Sequence, residues 1–137
     1  MLVYVYRNLR NKCWSIRSKE GITKGLVILH CHEIDVSNVV FTVSESSRQR
    51  VIRDNQKNVH AGVTGRLIGV DNVVDVRYDI SYRSGVLPHE GSTDMLVKYD
   101  PYKYPYFFLS NRQDRPITTA RRAFFRYNGR VTVIGAD

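Results

Sequence analysis

The sequence predicts an α+β fold that is mainly antiparallel sheet, and three observations support this class. Over much of the chain, apolar and polar residues alternate with a period of two, which is typical of half-buried strands. Residues 45–57 lack this alternation and contain neither Gly nor Pro, so they are predicted to form the one principal helix. Asn128-Gly129 separates two apolar runs and favours a tight hairpin. We therefore expect about seven to eight strands and one helix, in a single domain over residues 1–137.

Four strands are predicted before the helix. Residues 2–7 are β-branched or aromatic and form the first strand, and residues 13–17 form the second after a polar loop. Residues 25–31 and 38–43 are predicted as the third and fourth strands, because both are rich in Val, Ile and Leu or Phe.

The predicted helix has a recognisable start and a basic side. Ser44 is a favourable N-cap residue, and Glu45 suits the positive end of the helix dipole. Arg50, Arg53 and Lys57 follow at spacings of three and four, which places them along one exposed side.

Strand patterns return after the helix. Residues 59–67 alternate, residues 69–72 are predicted as a turn, and residues 74–82 show the most regular alternation in the chain. A short strand over residues 95–99 lies between two predicted loops, at residues 84–94 and 110–116. The final hairpin is predicted from the runs 123–127 and 130–134.

The net charge of +8 is unevenly distributed along the chain. Residues 1–24, 48–66 and 98–137 are basic, and they alternate with the acidic residues 25–47 and 67–97. A positive protein attracts polyanions, so nucleic acid is the expected partner. If the fold gathers the three basic blocks on one face they form a binding surface, and if it scatters them the charge serves solubility.

Other features narrow the class of protein. No apolar run approaches the roughly 18 residues of a membrane span, and the chain has no signal-peptide pattern, so we expect no membrane partner and a cytoplasmic location. Cys13 and Cys31 are too few for a disulfide scaffold and are expected to be buried thiols. No dinucleotide, phosphate-loop or metal motif is present, and no cofactor is expected.

The leading hypothesis is a non-enzymatic protein that binds RNA or DNA. Guanidinium and ammonium groups would hold phosphates, and tyrosine rings from the Tyr/Pro segment, residues 99–108, would stack on bases. The predicted nucleic-acid-binding residues are Arg48, Arg50, Arg53, Lys57, Thr64, Arg66, Tyr102, Lys103, Tyr104, Tyr106, Arg121 and Arg122.

Two alternatives remain open. His60 follows the basic helix and could act as an acid or base in a metal-independent ribonuclease, although a structural histidine is the more common outcome. The Tyr/Pro segment could instead bind a host protein as an inhibitor, or fold over the core as a lid. A homodimer is a further alternative, because sheet edges favour pairing between copies. His30 and His32 flank Cys31 on a predicted strand without a metal-ligand motif, so no metal site is predicted.

Several short motifs resemble a known group of proteins. These are Ser47-Arg-Gln-Arg-Val51, Lys57-Asn-Val-His-Ala61 and Val97-Lys-Tyr-Asp-Pro-Tyr-Lys103, together with the opening Val5-Tyr-Arg-Asn-Leu9 through Cys13-Trp-Ser-Ile16. With these motifs the chain resembles small uncharacterised proteins encoded by tailed bacteriophages and prophages. The resemblance transfers no activity. It implies a phage product that acts in the bacterial cytoplasm, where such proteins often bind nucleic acid or block a host enzyme.

Overall fold

The computed structural model describes residues 1–85 and 87–136, and these residues are predominantly β-structure with one short helix. The predicted mainly antiparallel sheet with one principal helix is confirmed, but the described region has nine strands rather than seven to eight and its helix has only 10 residues, so the fold is predominantly β rather than α+β. The strands are β1 Leu2–Asn8, β2 Cys13–Ser18, β3 Val27–Val43, β4 Ala61–Val76, β5 Met95–Lys98, β6 Phe108–Leu109, β7 Arg112–Pro116, β8 Thr119–Phe125 and β9 Val131–Ala136. The helix, α1, is Glu45–Asp54.

All nine strands belong to one antiparallel sheet. Their order is β2-β1-β4-β3-β8-β9-β5-β6-β7, and β2 also pairs with β3. The first four strands therefore close on themselves in a ring, while the remaining five extend from the second half of β3. β1 and β8 lie on opposite sides of the β3–β4 pair.

Two pairs of predicted strands are single long strands in the structure. β3 joins the runs predicted at residues 25–31 and 38–43, and the register shifts between Ser37 and Val40, where Asn38 takes a positive φ of 51°. β4 likewise continues through the predicted turn at residues 69–72, with Asn72 at φ 53°. Asn tolerates this conformation, so neither residue ends its strand. A bulge bends β3 at Asn38, whereas β4 stays in register with β3 across Asn72.

The half-buried strand predicted from the regular alternation of residues 74–82 is wrong. β4 ends at Val76, and residues 77–82 form no regular strand. Val73, Val74 and Val76 are exposed, because this part of β4 pairs with β3 on one side and no named strand continues the sheet on its other side. Alternation creates burial only where a second layer or neighbour covers one face.

α1 begins where predicted but ends earlier. Ser44 occupies the N-cap position, although its hydroxyl makes no cap hydrogen bond and meets the Ser47 hydroxyl at 3.2 Å. The helix ends at Asp54 because Asn55 adopts the left-handed conformation, with φ 51° and ψ 32°. Lys57 therefore lies in the connection to β4 and not on the predicted helix, which extended to residue 57.

The C-terminal hairpin is confirmed. β8 and β9 pair through Asn128-Gly129, with Gly129 at φ 85°. The polar loop predicted at residues 110–116 instead contains β7, which pairs with β6.

One hydrophobic core lies inside the ring and continues under β8 and β9. Val3, Val5 and Ile16 are fully buried there, and the rings of Trp14 and Phe125 meet edge to face with centroids 5.0 Å apart. Both cysteines are buried and free, as predicted. None of the helical residues described here forms a segment long and apolar enough to cross a bilayer.

Candidate functional site

A groove of about 690 Å³ opens on the core side of the sheet. Its lining comes from three separate parts of the chain, at residues 5–14, 51–63 and 97–131. These stretches belong to the three basic blocks, apart from Val97 at a block boundary. The fold thus brings portions of all three basic blocks around one concave surface, the arrangement needed for a binding surface.

The groove has an apolar floor and a cationic rim. The apolar floor includes buried core residues, Val5, Val63, Val97 and Phe125, and the exposed side chains of Leu9 and Val59. The cationic residues of the lining are Arg7, Arg10, Lys57 and Lys98. None of these four forms an ion pair within the described residues, and no described residue of the lining is Asp or Glu. The positive charge of the groove is therefore not neutralised by the protein itself.

Arg7 is held in place by aromatic packing rather than by a carboxylate. Its guanidinium lies 4.9 Å from the centroid of the Trp14 ring, a cation–π contact. The Trp14 indole N–H donates to the Arg126 carbonyl oxygen at 2.9 Å, which fixes the ring. Nη1 of Arg7 is buried without a hydrogen-bond partner, and desolvation lowers the pKa of this residue.

Gly129 allows Arg7 to reach this position. A Cβ atom at residue 129 would lie 3.3 Å from Nη2 of Arg7, tighter than ordinary van der Waals contact. The hairpin turn therefore needs Gly129 both for its positive φ and for the close approach of the guanidinium.

His60 also lines the groove, with both ring nitrogens engaged. Nδ1 lies 3.0 Å from the Asn58 carbonyl oxygen, which can only accept, so Nδ1 carries a proton. In the neutral ring Nε2 then accepts from the Tyr99 hydroxyl at 2.9 Å. Burial raises the pKa of Tyr99 to about 12, so its hydroxyl keeps the proton that it donates.

The Tyr/Pro segment is anchored to the helix by Arg48. Nε of Arg48 donates to the Pro101 carbonyl oxygen at 2.7 Å, and Nη1 pairs with Glu45 at 2.8 Å. The Arg48 side chain is buried, so its guanidinium serves the packing of α1 against this segment rather than the groove surface. Tyr102, by contrast, is 65% exposed at the edge of the groove.

Of the residues predicted from sequence, three come together in the groove: Lys57, His60 and Tyr102. Arg50 and Arg53 lie on the exposed side of α1, and Arg53 pairs with Asp54 at 3.1 Å. Arg50 and Arg53 carry the same charge as the groove cations but lie outside the groove lining.

The other predicted residues lie elsewhere. Tyr104 packs against Tyr106 and Phe108, and the Tyr106 hydroxyl donates to the Gln113 carbonyl oxygen at 3.3 Å. Arg122 forms a bidentate ion pair with Asp35. The remaining members of the set are outside the groove lining: Thr64, Arg66, Lys103 and Arg121.

The rim cation Lys98 was not in the predicted set, and neither were the groove residues Tyr6, Arg7, Arg10 and Trp14 from the first basic block. The signal for them was present in the first basic block, where two arginines lie near an aromatic strand residue. Their role depends on the ring closure that brings β1 beside β4 and near the final hairpin, and no local pattern encodes that closure.

Within residues 1–85 and 87–136, no group of three His, Cys, Asp or Glu side chains is placed to hold a metal ion. His30 is buried against Ser15, whose hydroxyl lies 2.9 Å from Nδ1, and His32 stacks on Tyr127 with centroids 4.6 Å apart. Desolvation lowers the pKa of His30.

Comparison with known proteins identifies the family. Residues 1–133 match the family described as Mycobacterium phage L5 gene 82 protein. The gene 82 protein of Mycobacterium phage L5 is 30% identical over 133 residues, covering 93% of this chain and 91% of that protein. No solved structure gives a significant match. The resemblance to uncharacterised phage proteins is thereby confirmed, and the chain belongs to the family of the mycobacteriophage L5 gene 82 protein.

Proposed function

We propose that this phage protein binds nucleic acid through the groove, without catalysing a reaction, in the cytoplasm of its bacterial host. The observation that carries the proposal is the cationic rim: Arg7, Arg10, Lys57 and Lys98 line one surface with no carboxylate among them. Phosphates are the polyanionic groups that such a rim fits best, because each neutralised phosphate releases condensed counterions.

The site differs from the one predicted from sequence. Arg48 is buried and donates to the Pro101 carbonyl oxygen, and Arg122 is paired with Asp35. The proposed phosphate contacts are therefore made by the four rim cations. Tyr102 keeps its predicted role as a ring at the binding surface, whereas Tyr104 and Tyr106 are engaged with their own segment.

The salt dependence of binding tests this proposal. Four phosphate contacts give a slope of about −3 in a plot of log affinity against log salt concentration. We expect Lys57→Gln with Lys98→Gln to reduce the slope by about 1.5 and to weaken binding about 25-fold near 0.1 M salt. The readout is fluorescence anisotropy of a labelled oligonucleotide.

The matched control is Arg50→Gln with Arg53→Gln, which removes the same charge from the exposed side of α1. We expect this pair to weaken binding less than about threefold. An equal loss in both double variants would move the interface to the helix, and binding that does not respond to salt would reject the proposal altogether.

A metal-independent ribonuclease is the second candidate, because His60 lies in the same groove as the cations. The hydrogen bond between His60 Nε2 and the Tyr99 hydroxyl would have to break, so that Nε2 could accept a proton from the ribose 2′-OH. Labelled RNA incubated in EDTA with the wild type and with His60→Ala distinguishes the two functions. Cleavage by the wild type alone would establish the enzyme, and intact RNA that still binds would support the non-enzymatic protein.

A further inference from the structure

The groove differs from a surface that only neutralises phosphates, because its floor is apolar. A double helix presents sugars and phosphates outward and keeps its base faces stacked inside, so it would leave the exposed apolar side chains of the lining, Leu9 and Val59, without a partner. An unpaired strand exposes base faces, which are apolar and aromatic. The groove volume is also that of a small-molecule pocket, which holds a few unpaired nucleotides and not a duplex.

Two planar groups are available for stacking. Tyr102 is 65% exposed at the groove edge, and its hydroxyl has no hydrogen-bond partner among the described residues. The Arg7 guanidinium, which lies over the Trp14 ring and beside Gly129, is the second planar group of the lining. Bases stack on both tyrosine rings and arginine planes in single-stranded complexes.

Among the described residues, the uncharged side-chain groups of the lining that make no hydrogen bond are the Asn58 amide and the Tyr6 and Tyr102 hydroxyls, and the others are engaged. The Trp14 indole N–H is bound to the Arg126 carbonyl, and both His60 nitrogens are engaged. The Asn8 side-chain oxygen accepts from the backbone N–H of Asn11 at 3.1 Å. Stacking without base-edge hydrogen bonds tolerates any sequence.

We infer that the ligand of the groove is an unpaired stretch of nucleic acid, bound through base stacking and phosphate contacts with little sequence preference. This inference rests on the proposed function and names its substrate class. Phosphates lie on the rim cations, and bases lie over the apolar floor between Tyr102 and the Arg7–Trp14 stack.

The experiment compares a single strand of about 12 nucleotides, as RNA and as DNA, with a duplex that carries the same phosphate charge. We expect the single strand to bind at least about tenfold more tightly than the duplex, and two unrelated sequences to differ by less than about threefold. Tyr102→Ala should weaken single-strand binding at least about fivefold and leave duplex binding unchanged.

Tyr127→Ala is the matched control, because Tyr127 is 60% exposed and lies outside the groove lining. It should leave single-strand binding unchanged, and equal losses from Tyr102→Ala and Tyr127→Ala would reject the stacking role. If the duplex binds as tightly as the single strand and Lys57→Gln with Lys98→Gln still weakens it, this inference fails while the proposed function stands. If neither nucleic acid binds, both fail.

Discussion

Phe124 and Phe125 are neighbours in β8 and lie on opposite faces of the sheet, and the cations near them differ in whether they are paired with carboxylates. Phe125 belongs to the groove, whose four cations have no carboxylate beside them. The Phe124 ring is covered instead by Arg122 and Arg126, at 5.2 and 5.0 Å from its centroid, and each of these arginines meets an aspartate. The two arginines over Phe124 are therefore paired with carboxylates, whereas the four groove cations are not.

This difference separates structural charge from charge available to a ligand. Asp35 and Asp94 are largely buried, so their arginine partners offset the cost of removing a carboxylate from water. The groove cations have no such partner among the described residues. This absence of a carboxylate is the reason that a polyanionic ligand is proposed for the groove.

The largest change in nucleic-acid affinity is expected when a carboxylate is placed beside the groove cations, as on the face where Arg122 and Arg126 pair with aspartates. Lys98→Glu replaces a rim cation by a carboxylate, a change of two charges, and should weaken nucleic-acid binding about 25-fold near 0.1 M salt. Lys103→Glu makes the same change five residues further along, outside the lining, and should cost less than about fivefold. Fluorescence anisotropy measures both, and equal losses would mean that overall charge rather than the groove determines affinity.

On the paired face, Arg122→Ala should affect stability and not binding. Removal of the guanidinium leaves the Asp35 carboxylate, whose side chain is 11% exposed, without its charged partner. We expect the free energy of unfolding to fall by about 2 kcal/mol, measured by urea denaturation. Arg122 was itself predicted from sequence to bind nucleic acid, so a clear loss of affinity in a folded variant would restore that earlier assignment.

Gly129→Ala should affect both properties at once. The left-handed backbone at residue 129 costs a residue with a Cβ atom about 1 kcal/mol, and the new methyl group crowds Nη2 of Arg7. We expect a loss of about 1 kcal/mol in unfolding free energy together with a reduction in affinity of less than about fivefold. Asn128→Ala, in the same turn but away from that contact, is the control for the affinity change.

Arg7→Lys tests the planar group separately from its charge. Lysine keeps the positive charge but lacks the guanidinium plane that covers Trp14. Affinity for a single strand should fall about fivefold, while the slope of affinity against salt should stay the same. A changed slope with no change in stacking-dependent affinity would contradict the role assigned to the plane.

The smallest effect concerns pH. The pKa of Tyr99 is about 12 in the folded protein, above its ordinary value of 10.0. The unfolded state therefore loses this proton first, so the stabilisation is complete below pH 10 and is lost as pH rises toward 12. Tyr99→Phe should flatten the decline of unfolding free energy over this window, as measured by denaturation at a series of pH values. A variant that declines as steeply as the wild type would exclude Tyr99 as the cause.

Local patterns were sufficient for local elements. The Asn128-Gly129 turn, the first two strands and the start of α1 at Ser44 each depend on a few adjacent residues, and the structure contains all of them. The bulge at Asn38 shows where local reasoning ends. A polar residue between two apolar runs resembles a break, but pairing with β4 on one side and β8 on the other keeps β3 continuous.

The groove was only partly predictable for the same reason. Lys57, His60 and Tyr102 lie in segments whose composition indicated binding. Arg48 is buried through its contact with Pro101, which lies 53 positions further along the chain. Arg7 packs beside Gly129, which lies 122 positions further along. The basic residues are identifiable from the sequence, but the closed ring of strands determines which of them share a surface.

The bond from the Trp14 indole to the Arg126 carbonyl has a consequence for biosynthesis. It joins residues 112 positions apart, and the same corner of the groove includes Gly129 and Val131. Trp14 leaves the ribosome long before Arg126 is synthesised. The groove is completed only when the C-terminal hairpin has emerged and docked, so the proposed ligand site does not exist on a nascent chain until synthesis is nearly finished.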